Sequence, residues 1–429
     1  MKVGIVGGGI AGICAAIVAQ RNGANVTIID AAPHLGGRAA GKGNIDTGRH
    51  LVTTAYANFL QLTNILNSTD QLALIPQAYG SFEKNRIPFW QINSNIPGSA
   101  GQAISLLKSG LIPFKDWISS LIALNRTQKF KPDTGKENGI FYHLNETSIG
   151  DFFRNTHWPD SLLEKIAKPL AMGIMNGDID TTSIEPFHHA LMLMLNDPDK
   201  KAGWIRGDYG SLITTPALTY CESNEIDLHL RTRVKGIKKS DKSWIIETAD
   251  DDKNEMQFDS LILTLPPWQL RNLEVSEELV SLKVMASLVR ANSIVTTRAK
   301  TNKLEALPGP ISEGPPHYGI WFFEPSDKGI LIERVVSAID PEKIPKSEVF
   351  REVFSKKLKK QFNLEIENKI EVRPYKYATP LLSPKTPRPE ISIGDGLFYA
   401  GDWANIGLPA TLEGAALAGW QAGEVCSKP

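Results

Sequence analysis

The feature that most constrains the fold of this chain is a glycine-rich turn near its start, at Gly7, Gly9 and Gly12. A short β-branched run, Val3 to Val6, comes directly before the turn and is typical of a buried parallel strand. Apolar residues then recur at helical spacing, and a second apolar run ends at Asp30. A strand, a GxGxxG turn, a helix, a second strand and an acid in this order predict a dinucleotide-binding βαβ unit.

Each residue of this turn has a physical role toward a dinucleotide. Gly7 permits a sharp turn, Gly9 lets backbone N–H groups approach a pyrophosphate, and Gly12 lets the helix pack closely on the strand. The N-terminus of the helix adds partial positive charge and free donors. Asp30 lies 18 residues after Gly12, so its carboxylate is expected to accept hydrogen bonds from the ribose hydroxyls.

The bulk composition excludes several classes of function. Lys and Arg number 47, as do Asp and Glu, so no basic excess exists to neutralise the phosphates of a nucleic acid. Three widely spaced cysteines and the lack of an HExxH pattern argue against a metal site and favour a reducing, cytosolic compartment. The first residues superficially resemble a secretory signal, but their five glycines and the lack of an A-x-A-like cleavage site indicate folded protein. Outside that start no apolar run reaches 18 residues, so we expect no membrane-spanning helix.

Two further motifs suit the same kind of ligand. Gly36-Gly37-Arg38 follows the second predicted strand, where a loop returns toward a bound dinucleotide. The planar donor fork of Arg38 suits the charge of a pyrophosphate. Near the other end of the chain, the apolar run Leu397 to Ala400 precedes a Gly401-Asp402 turn, and a helix is predicted from Pro409.

With these motifs the chain resembles the superfamily of FAD-dependent amine oxidases and carotenoid desaturases. The resemblance implies an α/β fold, with a Rossmann-type FAD-binding domain built from discontinuous segments and an α+β substrate domain, as in the amine oxidase and GDI-like flavoproteins. We expect the FAD-binding domain to comprise residues 1–75, 225–270 and 390–429. The substrate-binding domain then comprises residues 76–224 and 271–389.

The resemblance also implies which residues contact FAD. In the superfamily the valine that ends a strand holds the adenine through its backbone, and Val234 ends the predicted strand Ile226 to Val234. The GD turn binds the ribityl-phosphate end, and the N-terminus of the last helix points at the pyrimidine edge, where it stabilises the anionic reduced flavin. The expected cofactor contacts are Gly7, Gly9, Ile10, Ala11, Gly12, Asp30, Ala31, Gly37, Arg38, Val234, Gly401, Asp402, Thr411 and Leu412.

A narrower resemblance is to the bacterial hydroxysqualene dehydroxylases. It rests on three stretches, at residues 45–56, 169–191 and 400–419, and the chain departs from the family pattern at Asp46 to His50 and at Ala404. The resemblance implies that FADH2 reduces hydroxysqualene to squalene, a step toward hopanoids, with an external electron donor that reduces FAD again. We expect neither a nucleic acid nor a metal to take part.

This reaction needs one acid to protonate the leaving hydroxyl. Asp46 and His50 lie on a segment expected to pass the flavin, so they are the first candidates for the acid and its orienting partner. Glu185 and His188 are the reserve pair. For each residue a purely structural role stays open.

Three other functions remain as alternatives. A carotenoid-type or squalene-type desaturase would use the same flavin with hydride flowing from substrate to cofactor. An amine oxidase would want an aromatic cage beside the flavin. A lipid-escort protein, similar to the prenyl-binding chaperones of small GTPases, would have the fold without redox chemistry.

The middle of the chain leaves two structural choices open. Residues 104–124 favour two core helices joined at Gly110 and Pro113, with a membrane-surface element as the alternative. The Met- and Leu-rich stretch 168–195 and the aromatic run Trp321 to Phe323 favour core packing, with the wall of a hydrocarbon pocket as the alternative. Because an isoprenoid of this length resides in bilayers, we expect a cytoplasmic protein in peripheral contact with the inner face of the cytoplasmic membrane.

Overall fold

The structure, a computed structural model, describes residues 1–40, 51–83, 86–92, 98–129, 136–137, 140–141, 146–206, 208–249, 255–314, 319–326, 329–366 and 369–427. Its helices are α1 (Ile10–Arg21), α2 (Ala57–Ile65), α3 (Gly98–Lys108), α4 (Trp117–Lys129), α5 (Ile149–Asn155), α6 (Asp160–Leu162), α7 (Lys168–Met175), α8 (Ile184–Asn196), α9 (Thr215–Ser223), α10 (Pro267–Leu270), α11 (Val280–Leu288), α12 (Ser347–Phe362) and α13 (Leu412–Cys426).

Its strands are β1 (Lys2–Val6), β2 (Asn25–Ile29), β3 (Val52–Thr53), β4 (Leu72–Pro76), β5 (Ala78–Ser81), β6 (Phe89–Gln91), β7 (Lys136–Glu137), β8 (Ile140–Phe141), β9 (Lys201–Ile205), β10 (Asp227–His229), β11 (Val234–Ser240), β12 (Ser243–Thr248), β13 (Glu255–Phe258), β14 (Ser260–Leu263), β15 (Glu274–Val275), β16 (Ala291–Thr301), β17 (Ile311–Ser312), β18 (Ile320–Ser326), β19 (Gly329–Ile339), β20 (Glu371–Pro380), β21 (Ser392–Gly394) and β22 (Leu397–Tyr399).

A six-stranded sheet gathers distant parts of the chain in the order β10-β2-β1-β14-β22-β21. All its pairs are parallel except β21 with β22, and Val3 of β1 lies between Val26 of β2 and Ser260 of β14. Strand β14 is buried along its whole length, as expected for a parallel sheet covered by helices. The predicted fold class, a Rossmann-type unit built from discontinuous segments, is confirmed.

Helices α1 and α13 pack closely because glycines and alanines face each other. A Cβ added at Gly419 would overlap the Ala11 carbonyl oxygen, and one added at Gly423 would lie 2.8 Å from the Ala15 carbonyl oxygen. The contacts advance in the same direction along both helices, so the helices run parallel. The N-termini of both helices therefore face the carboxyl edge of the sheet. Because Gly419 lies against Ala11, the N-terminus of α13 extends six residues, about 9 Å, past the N-terminus of α1.

The prediction of one continuous strand from Ile226 to Val234 was wrong. Strand β10 ends at His229, Arg231 has a left-handed φ of 60°, and β11 begins in another sheet, of order β13-β12-β11-β15. The N–H groups of Arg231 and Thr232 donate to the carbonyls of Ala32 and Asp30 at 3.0 and 2.9 Å. These bonds turn the chain over the end of β2.

A seven-stranded sheet, β20-β16-β19-β18-β17-β5-β6, forms the second large layer. Trp321 is fully buried in it and stacks on Phe354, with ring centroids 5.1 Å apart. Phe322 lines a cavity of about 20 Å³, which has room for about one water molecule rather than a hydrocarbon chain. Core packing, the first of the two interpretations for the aromatic run, therefore holds for Trp321.

Residues 104–124 lie on two helices and the segment between them, and only some of their apolar side chains are buried. Leu106, Leu107, Leu111, Ile112 and Ala123 are buried in the core. The side chains of Phe114, Ile118, Leu121 and Ile122, which we call the apolar ridge, are exposed instead, and the exposed fractions of Phe114 and Ile118 are 82% and 76%. Among the described residues no helix has the length and apolar character needed to cross a bilayer.

Candidate functional site

The glycine turn between β1 and α1 is fixed by close packing. Gly7 has a φ of 112°, and a Cβ there would overlap the Thr264 hydroxyl, which lies 2.8 Å from the Gly7 carbonyl oxygen. A Cβ at Gly12 would overlap that same carbonyl oxygen. The first and third glycines are therefore required by the fold itself, whether or not a ligand is bound.

Gly9, in contrast, has room for a side-chain atom without a clash. It precedes the first residue of α1, and the nearest atom to an added Cβ is the Gly37 Cα at 3.9 Å. Ile10 and Ala11 form the first turn of α1, where backbone N–H groups have no partner inside the helix. Room beside unpaired donors at a positive helix end suits a pyrophosphate.

The Asp30 carboxylate lies at the end of β2 and is oriented by the backbone on both sides. Its Oδ2 accepts a hydrogen bond from the Gly8 N–H at 2.6 Å, and its Oδ1 accepts one from the Ala32 N–H, beyond Ala31, at 2.7 Å. Each oxygen keeps acceptor capacity for a ribose hydroxyl. Val234 begins β11 two residues after Thr232, whose N–H donates to the Asp30 carbonyl, so Val234 lies near the same strand end.

Arg38 connects the two ends of the chain. The Gly37–Ala39 segment forms a single 3₁₀ turn, and the Arg38 Nη2 donates to the Asp402 Oδ1 at 2.7 Å. Burial alone would lower the pKa of the Arg38 guanidinium. The charge and hydrogen bond of Asp402 outweigh burial and raise this pKa above its ordinary value, so Arg38 stays a cation. Gly401 and Asp402 thus meet the loop after β2, so that motifs from opposite ends of the chain lie together.

The last helix begins at Leu412, and the Thr411 hydroxyl accepts a hydrogen bond from the Gly414 N–H at 3.2 Å. Glu413 was not predicted as a contact residue. Its buried carboxylate accepts the N–H of Asn58 at 3.1 Å and that of Phe59 at 2.9 Å, and so caps α2. The only sequence feature that could have drawn attention to Glu413 is its position as an acid in the first turn of a predicted helix.

The first candidates for the acid, Asp46 and His50, lie outside the described residues. The reserve pair lies on α8 and is buried. His188 Nε2 is 3.1 Å from the Thr127 carbonyl oxygen, and burial lowers the pKa of the imidazole. Burial raises the pKa of the Glu185 carboxyl, and its Oε2 is buried with no hydrogen-bond partner among the described residues.

Two residues that the sequence analysis did not identify lie beside Glu185. Arg388 donates through Nη2 to the carbonyls of Ala404 and Leu408, at 2.6 and 2.8 Å. His189 Nδ1 is 2.7 Å from the carbonyl oxygen of Gly407, in the same loop. The positive charge of Arg388, and that of His189 when its ring is protonated, act on the Glu185 carboxylate and oppose the effect of burial on its pKa.

We refer to Glu185, His189 and Arg388 as the acid cluster. It packs against the 404–408 loop, which leads from the GD turn to the N-terminus of α13. Glu185 and His189 are four residues apart, a spacing that places two side chains on one face of a helix and that can be read from the sequence. Arg388 comes from a proline-rich segment with no pattern that predicts its place.

The described residues fit FAD as the cofactor. Two parallel helix N-termini, an oriented carboxylate at Asp30 and the cation of Arg38 lie along one edge of the sheet, which suits an extended, anionic dinucleotide. The described residues hold no group of three or more His, Cys, Asp or Glu side chains that could bind a metal ion.

Comparison with known proteins agrees with this geometry. Residues 10–426 match the family described as flavin containing amine oxidoreductase. A hydroxysqualene dehydroxylase from Zymomonas mobilis is 22% identical over 443 residues, and the alignment covers 98% of each chain. The protein named "Probable zeta-carotene desaturase" in Synechococcus elongatus is 26% identical over 253 residues, which cover 56% of this chain and 51% of that protein.

A similar fold occurs in a solved structure, an oxidoreductase from Methanosarcina mazei, with a TM-score of 0.72 and 16% sequence identity over 99% of this chain and 100% of that one. The family match extends over nearly the whole chain and confirms FAD as the predicted cofactor and enzymatic redox chemistry as the predicted activity. The chain therefore belongs to the flavin-containing amine oxidoreductases, within the superfamily of amine oxidases and carotenoid desaturases, and is an FAD-dependent oxidoreductase.

Proposed function

We propose that this oxidoreductase reduces hydroxysqualene to squalene in the synthesis of squalene and hopanoids. The observation that carries the proposal is the similarity to a hydroxysqualene dehydroxylase along 98% of both chains. The buried Glu185 carboxyl supports it, because loss of a hydroxyl group requires a proton donor in a site shielded from water. An external electron donor would return the cofactor to its reduced state.

The residues that would hold FAD are the predicted set at the carboxyl edge of the six-stranded sheet. The α1 N-terminus and Arg38 would bind the pyrophosphate, Asp30 the ribose, Val234 the adenine, and the α13 N-terminus the flavin. FAD would lie in the unit formed by residues 1–75, 225–270 and 390–429, and the substrate in residues 76–224 and 271–389. Reduced FAD supplies a hydride, and the chain supplies orientation, exclusion of water and a proton.

An isoprenoid desaturase is the second candidate. It is supported by the 26% identity to the Synechococcus protein, although that alignment spans about half of each chain. The two reactions run in opposite redox directions. A desaturase takes hydride from the substrate, whereas a dehydroxylase gives hydride to it.

One pair of anaerobic assays separates the two candidates. In the first, hydroxysqualene is incubated with reduced enzyme, and in the second, squalene or a carotenoid precursor is incubated with oxidised enzyme and an electron acceptor. Mass spectrometry of the products should find squalene in the first assay and no dehydrogenated product in the second. The opposite pattern would contradict the proposed reaction and favour the desaturase.

The remaining alternatives have less support. An amine oxidase would need two aromatic side chains that flank the flavin, whereas Trp268 and Tyr377 stack on each other, with ring centroids 5.8 Å apart and planes 28° apart. Protein that purified without flavin and failed to take up FAD would favour a lipid escort instead.

We also propose that the enzyme docks on the cytoplasmic membrane, at its inner face, through the apolar ridge. Phe114, Ile118 and Ile122 are spaced for one face of α4 and its preceding turn. Exposed Lys108, Lys115 and Arg126 flank them, and cations at the edge of an apolar face suit anionic lipid headgroups. A C30 substrate dissolved in the bilayer would reach the enzyme through such a contact.

A further inference from the structure

Two buried polar groups in the acid cluster have unused hydrogen-bonding capacity. Glu185 is 2% exposed, and its Oε2 has no partner among the described residues. The Nε and Nη1 of Arg388 are likewise buried without partners there, while Nη2 is held by the Ala404 and Leu408 carbonyls. Buried polar atoms are normally paired, so an acceptor and donors left open in one place indicate a missing polar group.

His189 has a defined tautomer in this cluster. Its Nδ1 lies 2.7 Å from the Gly407 carbonyl oxygen, which can only accept, so Nδ1 carries the proton in this bond. In the neutral ring Nε2 is then the basic nitrogen. Glu185 and His189 are four residues apart on α8 and share one face of the helix.

The charges around Glu185 come from two directions. His189 faces it from the same helix, and Arg388 faces it from the segment before β21, where the negative charges of Asp402 and Glu390 act on Arg388 in turn. Burial raises the pKa of Glu185, and the charge of Arg388, together with that of His189 when its ring is protonated, partly offsets that effect. A carboxyl in these surroundings can hold a proton and can also be stabilised after losing it.

We propose that Glu185, Arg388 and His189 bind the hydroxyl group of the substrate, and that Glu185 is the acid that protonates it. This inference rests on the proposed dehydroxylation. The Glu185 O–H bond breaks as its proton goes to the substrate oxygen, the C–O bond breaks, and water leaves with that electron pair. Reduced FAD, when bound, would supply the hydride for the new C–H bond, so that the substrate would be reduced by two electrons and the cofactor oxidised.

The other two residues complete the cycle. Arg388 stabilises the Glu185 carboxylate and the departing oxygen through Nε and Nη1. His189 Nε2 passes a solvent proton back to Glu185. In this proposal the acid, Glu185, is a member of the reserve pair on α8. Its histidine partner is His189 rather than His188, because the His188 ring is hydrogen-bonded to the Thr127 carbonyl.

The first test uses the FAD-loaded full chain and Glu185→Gln, which keeps the size of the side chain and removes its transferable proton. Single-turnover reduction of hydroxysqualene should slow about hundredfold or more. The wild-type rate should fall as pH rises through the pKa of Glu185, because the acid must be protonated, and the variant should lack that dependence. Glu333→Gln, which changes a buried carboxylate on β19, is the matched control and should keep the wild-type rate.

The second test measures binding and needs no turnover. The fully saturated analogue of hydroxysqualene and the hydrocarbon squalane are titrated into each protein while the flavin absorbance is followed. Wild type should prefer the alcohol about tenfold, and Glu185→Leu, which cannot hydrogen-bond, should lose that preference. Flavin content and melting temperature verify that each variant is folded.

The outcomes separate the inference from the proposed function. If Glu185→Gln reduced hydroxysqualene at the wild-type rate, Glu185 would not be the acid, and the proposed reaction would be unaffected. A wild type that is inert toward hydroxysqualene but prefers the alcohol through Glu185 would overturn the reaction and support the hydroxyl site. A wild type with no preference for the alcohol would overturn the hydroxyl site.

Discussion

The Arg38 Nη2 lies 2.7 Å from the Asp402 Oδ1, and this ion pair joins positions 364 residues apart in the sequence. It ties the loop after β2 to the turn after β22. The Arg38 guanidinium also lies over the Trp268 ring, 5.4 Å from its centroid, and Nη1 donates to the Ala378 carbonyl at 3.1 Å. One side chain therefore connects the two segments expected to enclose FAD.

Arg38→Ala should weaken FAD binding about ten- to hundredfold. The estimate corresponds to the loss of one charge-assisted hydrogen bond, about 1.5–3 kcal/mol. Titration of the apoprotein with FAD, followed by flavin fluorescence, measures the effect. Arg21→Ala, at the end of α1 away from the glycine turn, should bind FAD as wild type does, and equal affinities for the two variants would contradict the assigned role.

Alanine substitutions at two glycines of the first turn should distinguish a requirement of the fold from a requirement of FAD binding. Gly12→Ala should destabilise the apoprotein by about 1–3 kcal/mol, because its Cβ overlaps the Gly7 carbonyl oxygen. Gly9→Ala should leave the stability of the apoprotein unchanged and weaken FAD binding, because its Cβ makes only an ordinary contact with the Gly37 Cα, at 3.9 Å, on the side where the pyrophosphate would bind. Urea unfolding of the apoproteins and FAD titration give both quantities. Unaltered FAD affinity of Gly9→Ala would argue against a pyrophosphate at this helix end.

Removal of one partner of a buried ion pair should destabilise the seven-stranded sheet. Glu313 pairs with Arg334, and its Oε2 also accepts a hydrogen bond from the Trp321 indole N–H at 3.1 Å. Glu313→Ala leaves the Arg334 charge buried without its partner, and should lower the free energy of unfolding by about 3–5 kcal/mol. Glu365→Ala, which breaks an exposed pair with Lys359, is the control and should have little effect in the same urea titration.

The Glu313 pair should also make the sheet sensitive to acid. Burial raises the pKa of Glu313, but the hydrogen bonds and charges of Arg334 and Lys357 outweigh burial and hold it below its usual value. Its stabilisation is thus present above the unfolded pKa of about 4.3 and is lost as pH falls through the lower folded pKa. Urea unfolding between pH 3 and pH 6 should find a pH dependence that is smaller in Glu313→Ala, and identical slopes would contradict this role.

The apolar ridge should control binding to membranes. Phe114→Ser with Ile118→Ser should reduce flotation with vesicles that contain anionic lipid, because these two side chains are the most exposed of the ridge. Val284→Ser with Leu288→Ser removes two exposed apolar side chains from α11, outside the ridge, and is the control. Equal flotation of the two double variants would exclude the ridge as the docking face. Trp117 is a poorer target, since its indole N–H donates to the Ile112 carbonyl at 3.3 Å.

The parts of the fold that the sequence predicted are those with local signals. The glycine turn of β1 and α1 has its chemistry within a few residues, and so does the turn from β22 toward α13. The break between His229 and Val234 could not be predicted, because it depends on hydrogen bonds to Ala32 and Asp30, which are remote in sequence.

The candidate site divides in the same way. Asp30 and Arg38 followed from their spacing to the glycines, whereas Arg388 has no local pattern and acquires its role from carbonyls at Ala404 and Leu408. His188 and His189 are adjacent, and only the three-dimensional structure distinguishes the one bonded to the Thr127 carbonyl from the one bonded to the Gly407 carbonyl.

The most direct test of the account is a single turnover of the reduced enzyme with hydroxysqualene in D2O without oxygen. The transferable hydrogen of reduced flavin exchanges with solvent, so hydride transfer from FAD should yield squalene that carries one deuterium on carbon, as mass spectrometry can measure. Unlabelled squalene, or no squalene at all from a fully reduced, FAD-loaded enzyme, would contradict reduction of the carbon–oxygen bond by FAD.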